Sequence, residues 1–280
     1  MNQRTSSQSL ECMQLGWLSD LHLDRADDNA LDVFRDELAG IAYDALVITG
    51  DIATSRNLEQ SLEMIASASR RPVYVILGNH EFEGGSISAV RDTVSTLTRR
   101  VRNLQYLGNA GIVALNASTA MIGFDGWADT RAGFVGDPGF PRRPGMRIGD
   151  FDDLPFRERI IKMRSLGRES AEMLRASLPH ALSHFHHVII ATHVPPFPSL
   201  ACYDNKPCCP GRMAAFVNLS VGLALIGIAR QFPNRRITVL AGHTHHRAEQ
   251  QITPNLMARV AAAKPGMPTF EDVINLSQRS

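Results

Sequence analysis

Net charge, paired cysteines and long apolar runs are all scarce in this 280-residue chain, and each shortage removes a class of function. Its 29 Lys and Arg against 28 Asp and Glu leave a formal charge of +1, with no tract of one sign. A basic nucleic-acid tail or an acidic tail is therefore excluded, and net charge announces no partner. Four cysteines, Cys12, Cys202, Cys208 and Cys209, form no C-x-x-C pair and match none of the usual zinc spacings. Free thiols in a reducing compartment are the expectation. The opening "MNQRTSSQSL" is polar and has no apolar core of the kind a secretory leader carries, so residues 1–11 are expected to be a flexible tail of a cytoplasmic protein. One uncharged run, Met213 to Ala229, is slightly short for a membrane span of about 20 residues. A buried helix reads the same way. No internal repeat and no Ser/Gly-rich linker divides the chain, which predicts one domain over 12–280 with a loop insertion near 126–156.

Short apolar runs alternate with helix-like stretches. "CMQLGWLS", "ALVIT" and "VYVIL" read as strands separated by amphipathic helices over Asn29–Ile41 and Leu58–Ser69. Repeated βαβ units imply a mainly parallel sheet covered by helices. After a helix around Ser88–Arg102, "LQYL", "GIVALN" and "TAMIGFDG" are closely spaced and are expected as mixed strands of a second sheet. From Gly126 to Phe156 the periodicity gives way to Gly, Pro, Arg and Asp, and a loop this long in a compact domain is usually functional or disordered. A helix from Arg157 to Ser183, the strand "HVIIAT", a Pro-rich loop, the uncharged helix, the strand "ITVLA" and closing strands at "AEQQI" and "LMARVAAA" complete the chain.

The run "LAGHTHH" ends a strand on three imidazoles, and four other predicted strands end on comparable chemistry: "SDLHLD", "TGDIA", "LGNHEF" and "ATHVPP". In an open α/β sheet the C-terminal strand ends face one crevice, so five strands can deliver their last residues to one site. Asp20, His22, Asp51, Asn79, His193, His243 and His245 are oxygen or imidazole donors without a thiolate among them, a set suited to Mn, Fe or Zn. Seven donors exceed one tetrahedral ion and suit two divalent ions sharing a carboxylate. Extended backbone would put Asp20 with His22, and His243 with His245, on common faces, leaving His246 a bystander. The glycines before Asp51, Asn79 and His243 would permit close turns. The competing reading of Asp20 and Asp51 is as helix N-caps. A lone His193 is more often a core or surface histidine, and Asn79 alone reads as a turn residue. His180, His184, His186 and His187, near "SLPHALSHFHH", match none of these patterns and read as structural. Asp152 and Asp153 read as solvated.

The ordered set D-x-H, G-D, G-N-H-E, a later lone His and G-H-x-H resembles the calcineurin-like metallophosphoesterase superfamily, from about Met13 to Ala263. The resemblance implies a four-layer α-β-β-α sandwich of two mixed β-sheets flanked by helices. It implies that Asp20, His22 and His245 hold one metal, that Asn79, His193 and His243 hold the other, and that Asp51 bridges them. His80 matches the family's catalytic, non-ligand histidine, with Glu81 its usual neighbour. Two divalent ions bring about +4 and the two aspartates and a bridging hydroxide about −3, leaving a centre that attracts phosphate. The expected reaction is hydrolysis of a phosphomonoester or phosphodiester by a metal-bridging hydroxide, without a covalent enzyme intermediate. His193 and His243 flank the uncharged run yet share one ion, so that run is expected to be a buried helix and not a span.

Substrate is less constrained. The stretch "GDIATSR" has Thr54 where the protein Ser/Thr phosphatase branch carries a later Asp, the Tyr ligand of purple acid phosphatases is absent after G-D, and His80 stands where lipid A precursor hydrolases usually carry Arg. The expected partner is a phosphorylated small molecule or nucleotide. A nuclease or cyclic-nucleotide phosphodiesterase is the main rival, since one two-metal centre serves both ester types, and a non-catalytic metal-binding scaffold is a lesser one. A nucleic-acid partner is disfavoured: Arg142, Arg143 and Arg147 cluster, but a solvated loop explains them. Trp127, Asp129 and Arg131 are expected to reach the substrate from a rim, and "PPFPSLACYDNKPCCPG" to line the opening.

Overall fold

The computed structural model describes residues 13–141, 147–203 and 206–276. The expected tail at 1–11, Cys12, Arg142 and Arg143 lie outside these residues. The strands are β1 (Met13–Leu18), β2 (Ala45–Thr49), β3 (Val73–Ile76), β4 (Leu104–Tyr106), β5 (Val113–Ala114), β6 (Thr119–Gly123), β7 (His187–Ala191), β8 (Cys202–Tyr203), β9 (Lys206–Pro207), β10 (Arg236–Ala241), β11 (Ala248–Thr253), β12 (Leu256–Val260) and β13 (Asp272–Leu276). The helices are α1 (Asp28–Gly40), α2 (Leu58–Ser69), α3 (Ile87–Arg100), α4 (Leu107–Ala110), α5 (Phe156–His184), α6 (Pro210–Phe216) and α7 (Leu219–Gln231).

One sheet runs β13-β1-β2-β3-β4 and the other β11-β12-β10-β7-β6-β5, with β8 and β9 forming a small hairpin. Pairs β1–β2, β2–β3 and β3–β4 are parallel, as are β6–β7, β7–β10 and β10–β12, while β13, β11 and β5 pair antiparallel at the edges. Side chains alternate across a strand, and this alternation builds the layers. Leu15, Trp17, Ala45 and Val47 of the first sheet meet Met121, Ile189 and Leu240 of the second. The intervening Leu46 and Ile48 face the opposite way, against Phe34, Leu38, Leu62 and Ile65 of α1 and α2. Val188 and Ile190 pack outward on Leu174 and Leu178 of α5 and Leu225 of α7. Strands such as "ALVIT" are apolar throughout because both faces are buried. The result is the expected four layers of helix, sheet, sheet and helix.

Three elements differ from the expectation. "LQYL" supplies β4 of the first sheet, parallel to β3, and not part of the second. The last strand, β13, was not expected, and it closes the first sheet against β1. The uncharged run is two helices, α6 and α7, bent by 67° at Val217–Asn218. Asn218 causes the break: its side chain accepts from Val221 N–H at 3.0 Å, capping α7. Its amide donates to the carbonyls of Trp127 at 2.8 Å and Gly167 at 3.1 Å. Among the described residues no single helix is long and apolar enough to cross a membrane, and α7 buries Val221, Ala224, Leu225, Ile228 and Ala229.

Asn218 thus ties α5, α7 and the chain beyond β6 together at one buried amide. Asn218→Ala is expected to lower unfolding free energy by about 2–3 kcal/mol, the loss of a cap plus unpaired buried carbonyls. Chemical denaturation reads this as a lower midpoint, and a change below about 0.5 kcal/mol would contradict the assigned role.

Candidate metal centre

Because the strands bearing them run parallel within their sheets, β1, β2, β3, β7 and β10 deliver their C-terminal ends to one edge of the sandwich. Asp20 and His22 follow β1, Asp51 follows β2, Asn79 and His80 follow β3, His193 follows β7, and His243 and His245 follow β10. The chain there is not extended. Asp20, His22, Asp51, His243 and His245 adopt φ of 52°, 43°, 54°, 71° and 55°, the left-handed region. The pairs Asp20/His22 and His243/His245 therefore converge through tight turns, and the alternation of an extended strand is not what brings them together. Such backbone costs roughly 1–3 kcal/mol per residue and persists only where its surroundings hold it.

Those surroundings are hydrogen bonds between the loops. Asp20 N–H donates to Gly50 O at 2.9 Å, His22 N–H to Asp51 O at 3.0 Å and Leu23 N–H to Ile52 O at 2.8 Å, fastening the first loop to the second. His243 N–H donates to Asp20 Oδ1 at 2.9 Å and His80 N–H to Asp51 Oδ1 at 2.9 Å. Glycine is required where these loops press together. Gly50 takes φ +90°, and a Cβ on Gly242 would meet Asp20 Oδ2 and Ser19 Oγ. Neither Asp20 nor Asp51 is a helix cap, since Asp27 and Asn57 hold the N-cap positions of α1 and α2.

Two groups of donors result. Asp20, His22, Asp51 and His245 offer atoms within 4.8 Å of one another, as do Asp51, His193 and His243, so Asp51 belongs to both. His245 Nε2 lies 3.3 Å from Asp20 Oδ1 and 3.2 Å from His22 Nε2. His193 Nε2 lies 3.3 Å from Asp51 Oδ2 and 3.2 Å from His243 Nδ1. His193 Nδ1 sits 2.8 Å from Thr49 O, a bond that fixes the ring and directs Nε2 into the cluster. With carboxylate oxygens, imidazole nitrogens and no thiol, the cluster fits a dinuclear divalent metal site. Asn79 borders the same space beside Asp51, and His80 Nε2 stands 3.8 Å from Asp51 Oδ2. His246 belongs to neither donor group.

The protonation states of the two acids and of two histidines suit metal binding. Burial would raise the Asp51 carboxyl, but His193, His80 and His22 outweigh it and hold the group well below the usual carboxylate range. Asp20 is likewise lowered, burial being overcome by its hydrogen bond with His245 and by His193. Burial pushes His22 and His243 down to about 4, leaving neutral imidazoles with lone pairs to give. His193 goes the other way, to about 10, because Asp51 more than offsets its burial. A divalent cation on Asp51 would replace that attraction and displace the proton.

Two buried acids outside the expected ligand set position this cluster. Glu81, fully buried, accepts from Ile52 N–H at 2.5 Å and Gly78 N–H at 2.8 Å, clamping the turns that carry Asp51 and Asn79. Burial, with Asp51 nearby, raises its pKa to about 8. Asp125 accepts from Leu77 N–H at 3.0 Å, Arg91 Nε at 2.8 Å and Tyr106 Oη at 2.6 Å, pinning the end of β3 to the chain beyond β6. Sequence reasoning missed Asp125; its one signal is an acid, in "GFDG", directly after a buried strand.

A cavity of about 420 Å³ opens on the cluster and is bordered by Asp51, Asn79, His80, His243 and His245. Of the expected rim residues only Trp127 lines it. Asp129 is buried and accepts from Ser220 N–H at 2.7 Å, and Arg131 donates to Ser220 Oγ at 3.0 Å, so both brace α7. Val194, directly after His193, lines the cavity, but no described residue of the Pro-rich segment 195–211 does, its cysteines included. Cys202, Cys208 and Cys209 are free thiols, and burial pushes Cys208 up to about 11. His180 and His184 pair on α5, while His187, buried in β7 beside Thr238 Oγ1 at 2.9 Å, is driven by burial to about 3 and is neutral. Asp152 and Asp153 are exposed.

A model of the calcineurin-like phosphoesterases matches residues 13–247. Among solved structures, phosphopantetheinyl hydrolase from Mycobacterium tuberculosis superposes with a TM-score of 0.63 over 92% of this chain and 92% of its own, at 13% identity. A dimetal phosphatase from Danio rerio gives 0.56 over 89% and 87%, at 14% identity. A protein from Thermus thermophilus gives 0.56 over 95% and 99%, at 10% identity. At these identities the likeness is one of fold. No curated protein matches the sequence significantly.

If Glu81 positions the turns bearing Asp51 and Asn79, Glu81→Ala is expected to weaken divalent-ion affinity about 10- to 100-fold, the usual cost of removing an outer support of a metal site. Calorimetric titration with Mn²⁺ reads this directly. Unchanged affinity in a folded variant would contradict the role.

Proposed function

The chain belongs to the calcineurin-like phosphoesterase family, and from that premise we propose that it hydrolyses a small-molecule phosphate ester at two divalent ions. The observation that carries the proposal is the sharing of Asp51 by both donor groups. In this reading Asp20, His22 and His245 would hold one ion, Asn79, His193 and His243 the other, and Asp51, which belongs to both donor groups, would serve both. Mn, Fe and Zn suit this donor set best. Bound there, the ions would polarise a phosphate oxygen and lower the pKa of water between them.

The chain's own groups supply the rest. Asp51 offers two oxygens from a rigid turn, and Asn79 adds a donor without reducing the positive charge that attracts phosphate. His80 is the proposed catalytic histidine: its Nε2 faces the cluster, and its Nδ1 lies 3.4 Å from both Glu83 Oε2 and Arg25 Nη2. From there it would stabilise the phosphoryl oxygens or give a proton to the leaving oxygen. A small ester is favoured over nucleic acid because Arg159 is the one Lys or Arg among the described residues lining the cavity, whereas a polynucleotide needs a broad basic groove. The pairing of β13 with β1 brings the two ends of the described chain into one sheet, which supports reading 12–280 as one domain.

Metal-stripped protein is expected to regain hydrolysis of p-nitrophenyl phosphate or its bis ester on addition of Mn²⁺, Fe²⁺ or Zn²⁺. Asp51→Ala should abolish that recovery, and His80→Asn should keep both ions but lower kcat by about 10²–10⁴-fold. Turnover that ignores metal, or survives in Asp51→Ala, would sink the proposal.

A further inference from the structure

The cavity beside the donor cluster has walls that a phosphate group alone does not explain. Away from Asp51 and the histidines it is lined by Trp127 and Phe151, which belong to one hydrophobic cluster, by Phe140 and Ile160, which belong to another, and by Met163, which packs against both. Phe216 joins wall to cluster, its ring 5.0 Å from that of His243. Among the described residues the one formal charge on these walls is Arg159, and two of its donors are engaged: Nε donates to Leu154 O at 2.8 Å and Nη2 to Asp152 O at 3.2 Å.

The walls are anchored in place. Trp127 stacks on Phe82 at 5.3 Å and meets Phe151 at 5.8 Å, while Phe140 meets Phe156 edge-on at 5.9 Å. The segment bearing Phe151 is fastened to the turn that follows "GNHEF", since Gly84 N–H donates to Arg147 O at 2.7 Å and Gly149 N–H to Gly85 O at 2.8 Å. Asp150 accepts from Ile87 N–H at 2.7 Å and from Lys162 Nζ at 2.9 Å. Aromatic walls held apart by such anchors cannot close on one another to recover lost contacts. Water between them is readily displaced by an apolar group, and the volume falls in the range of small-molecule sites, about 300–1,000 Å³.

We propose that the substrate is a phosphate ester whose organic group is uncharged and predominantly apolar, alkyl or aryl, and that this cavity receives that group while the donor cluster receives the phosphate. The inference rests on the two-ion reading above and adds the substrate class to it. In the monoester case, water oxygen forms the new bond to phosphorus and the bond from phosphorus to the ester oxygen breaks. One proton of the water ends on the alcohol and the other on the phosphate, so alkyl phosphate and water give alcohol and hydrogen phosphate. Among the described wall residues only Trp127 Nε1, Thr244 and Arg159 offer polar side-chain atoms, so a sugar or nucleoside group would leave most of its hydroxyls and ring nitrogens facing hydrocarbon, at a desolvation cost.

Ethyl and n-hexyl phosphate test this, because both release primary alcohols and differ in apolar length. In the Mn²⁺-reconstituted protein kcat/KM for hexyl phosphate is expected to exceed that for ethyl phosphate at least tenfold, each buried methylene being worth about fourfold. Met163→Gln and Ile160→Asn should each lower that ratio at least fivefold. Binding of hexylphosphonate and ethylphosphonate, followed by calorimetry, gives a readout independent of turnover. Equal kcat/KM for the two esters together with equal phosphonate affinities would overturn the proposal and leave the two-ion reading standing. Tighter hexylphosphonate binding without turnover of any ester would support the cavity assignment and sink the hydrolytic reading instead. Equal phosphonate affinities without turnover would overturn both.

Discussion

Asp51 is 1% exposed and lies among His22, His80 and His193, and burying its charge is the constraint that the surrounding architecture answers. A carboxylate taken out of water is costly unless opposite charge and hydrogen bonds compensate it. Here imidazoles from both sheets supply the compensation, and a second buried carboxylate, Asp20, stands within the same cluster. Of the cluster's imidazoles His193 is held protonated without metal, while His22 and His243 are neutral, and two acids buried close together suit the larger positive charge of a pair of divalent ions.

Meeting that constraint demands departures from easy backbone geometry. Five of the seven proposed ligands occupy left-handed turns, each stabilised by a hydrogen bond to a neighbouring loop or by glycine where no Cβ fits. The parallel sheets make this possible by bringing rigid strand ends to one edge, so the turns need only cover the last few ångströms. Glu81 and Asp125 then fix those turns from behind. Strain gathered at the functional site is thus held by order in the scaffold, the pattern expected where donors must be pre-organised.

Much of this was legible because the chemistry sits where hydrophobic runs stop. "ALVIT" followed by "GD", and "ITVLA" followed by "GHTHH", announce both a buried strand and the donors at its end. The conformation after each strand was not legible: extended alternation gave the right pairs, Asp20 with His22 and His243 with His245, for the wrong physical reason. The break between α6 and α7 was hidden by uniform hydrophobicity, although Asn218 within "FVNLS" is a recognisable cap. Asp129 and Arg131 looked like substrate contacts because nothing local in the sequence predicts Ser220 as their partner. The cavity walls were legible only in part: Trp127 was expected at the rim and does line the cavity, whereas Phe140, Phe151 and Phe216 are scattered along the chain without a period, and only long-range packing turns them into one surface.

Donor cluster and apolar cavity share a wall at Phe216 and His243, so the family chemistry and the proposed selectivity meet at adjoining side chains. The fold supplies the first through strand ends, while the segment beyond β6 and the start of α5 supply the second. Everything nonetheless depends on Asp51 joining two ions. Diffraction from crystals grown with Mn²⁺, recorded at the manganese absorption edge, tests this most directly. The account predicts two anomalous peaks about 3.5–4 Å apart on either side of the Asp51 carboxylate. A single peak, or none within reach of Asp51, would contradict it.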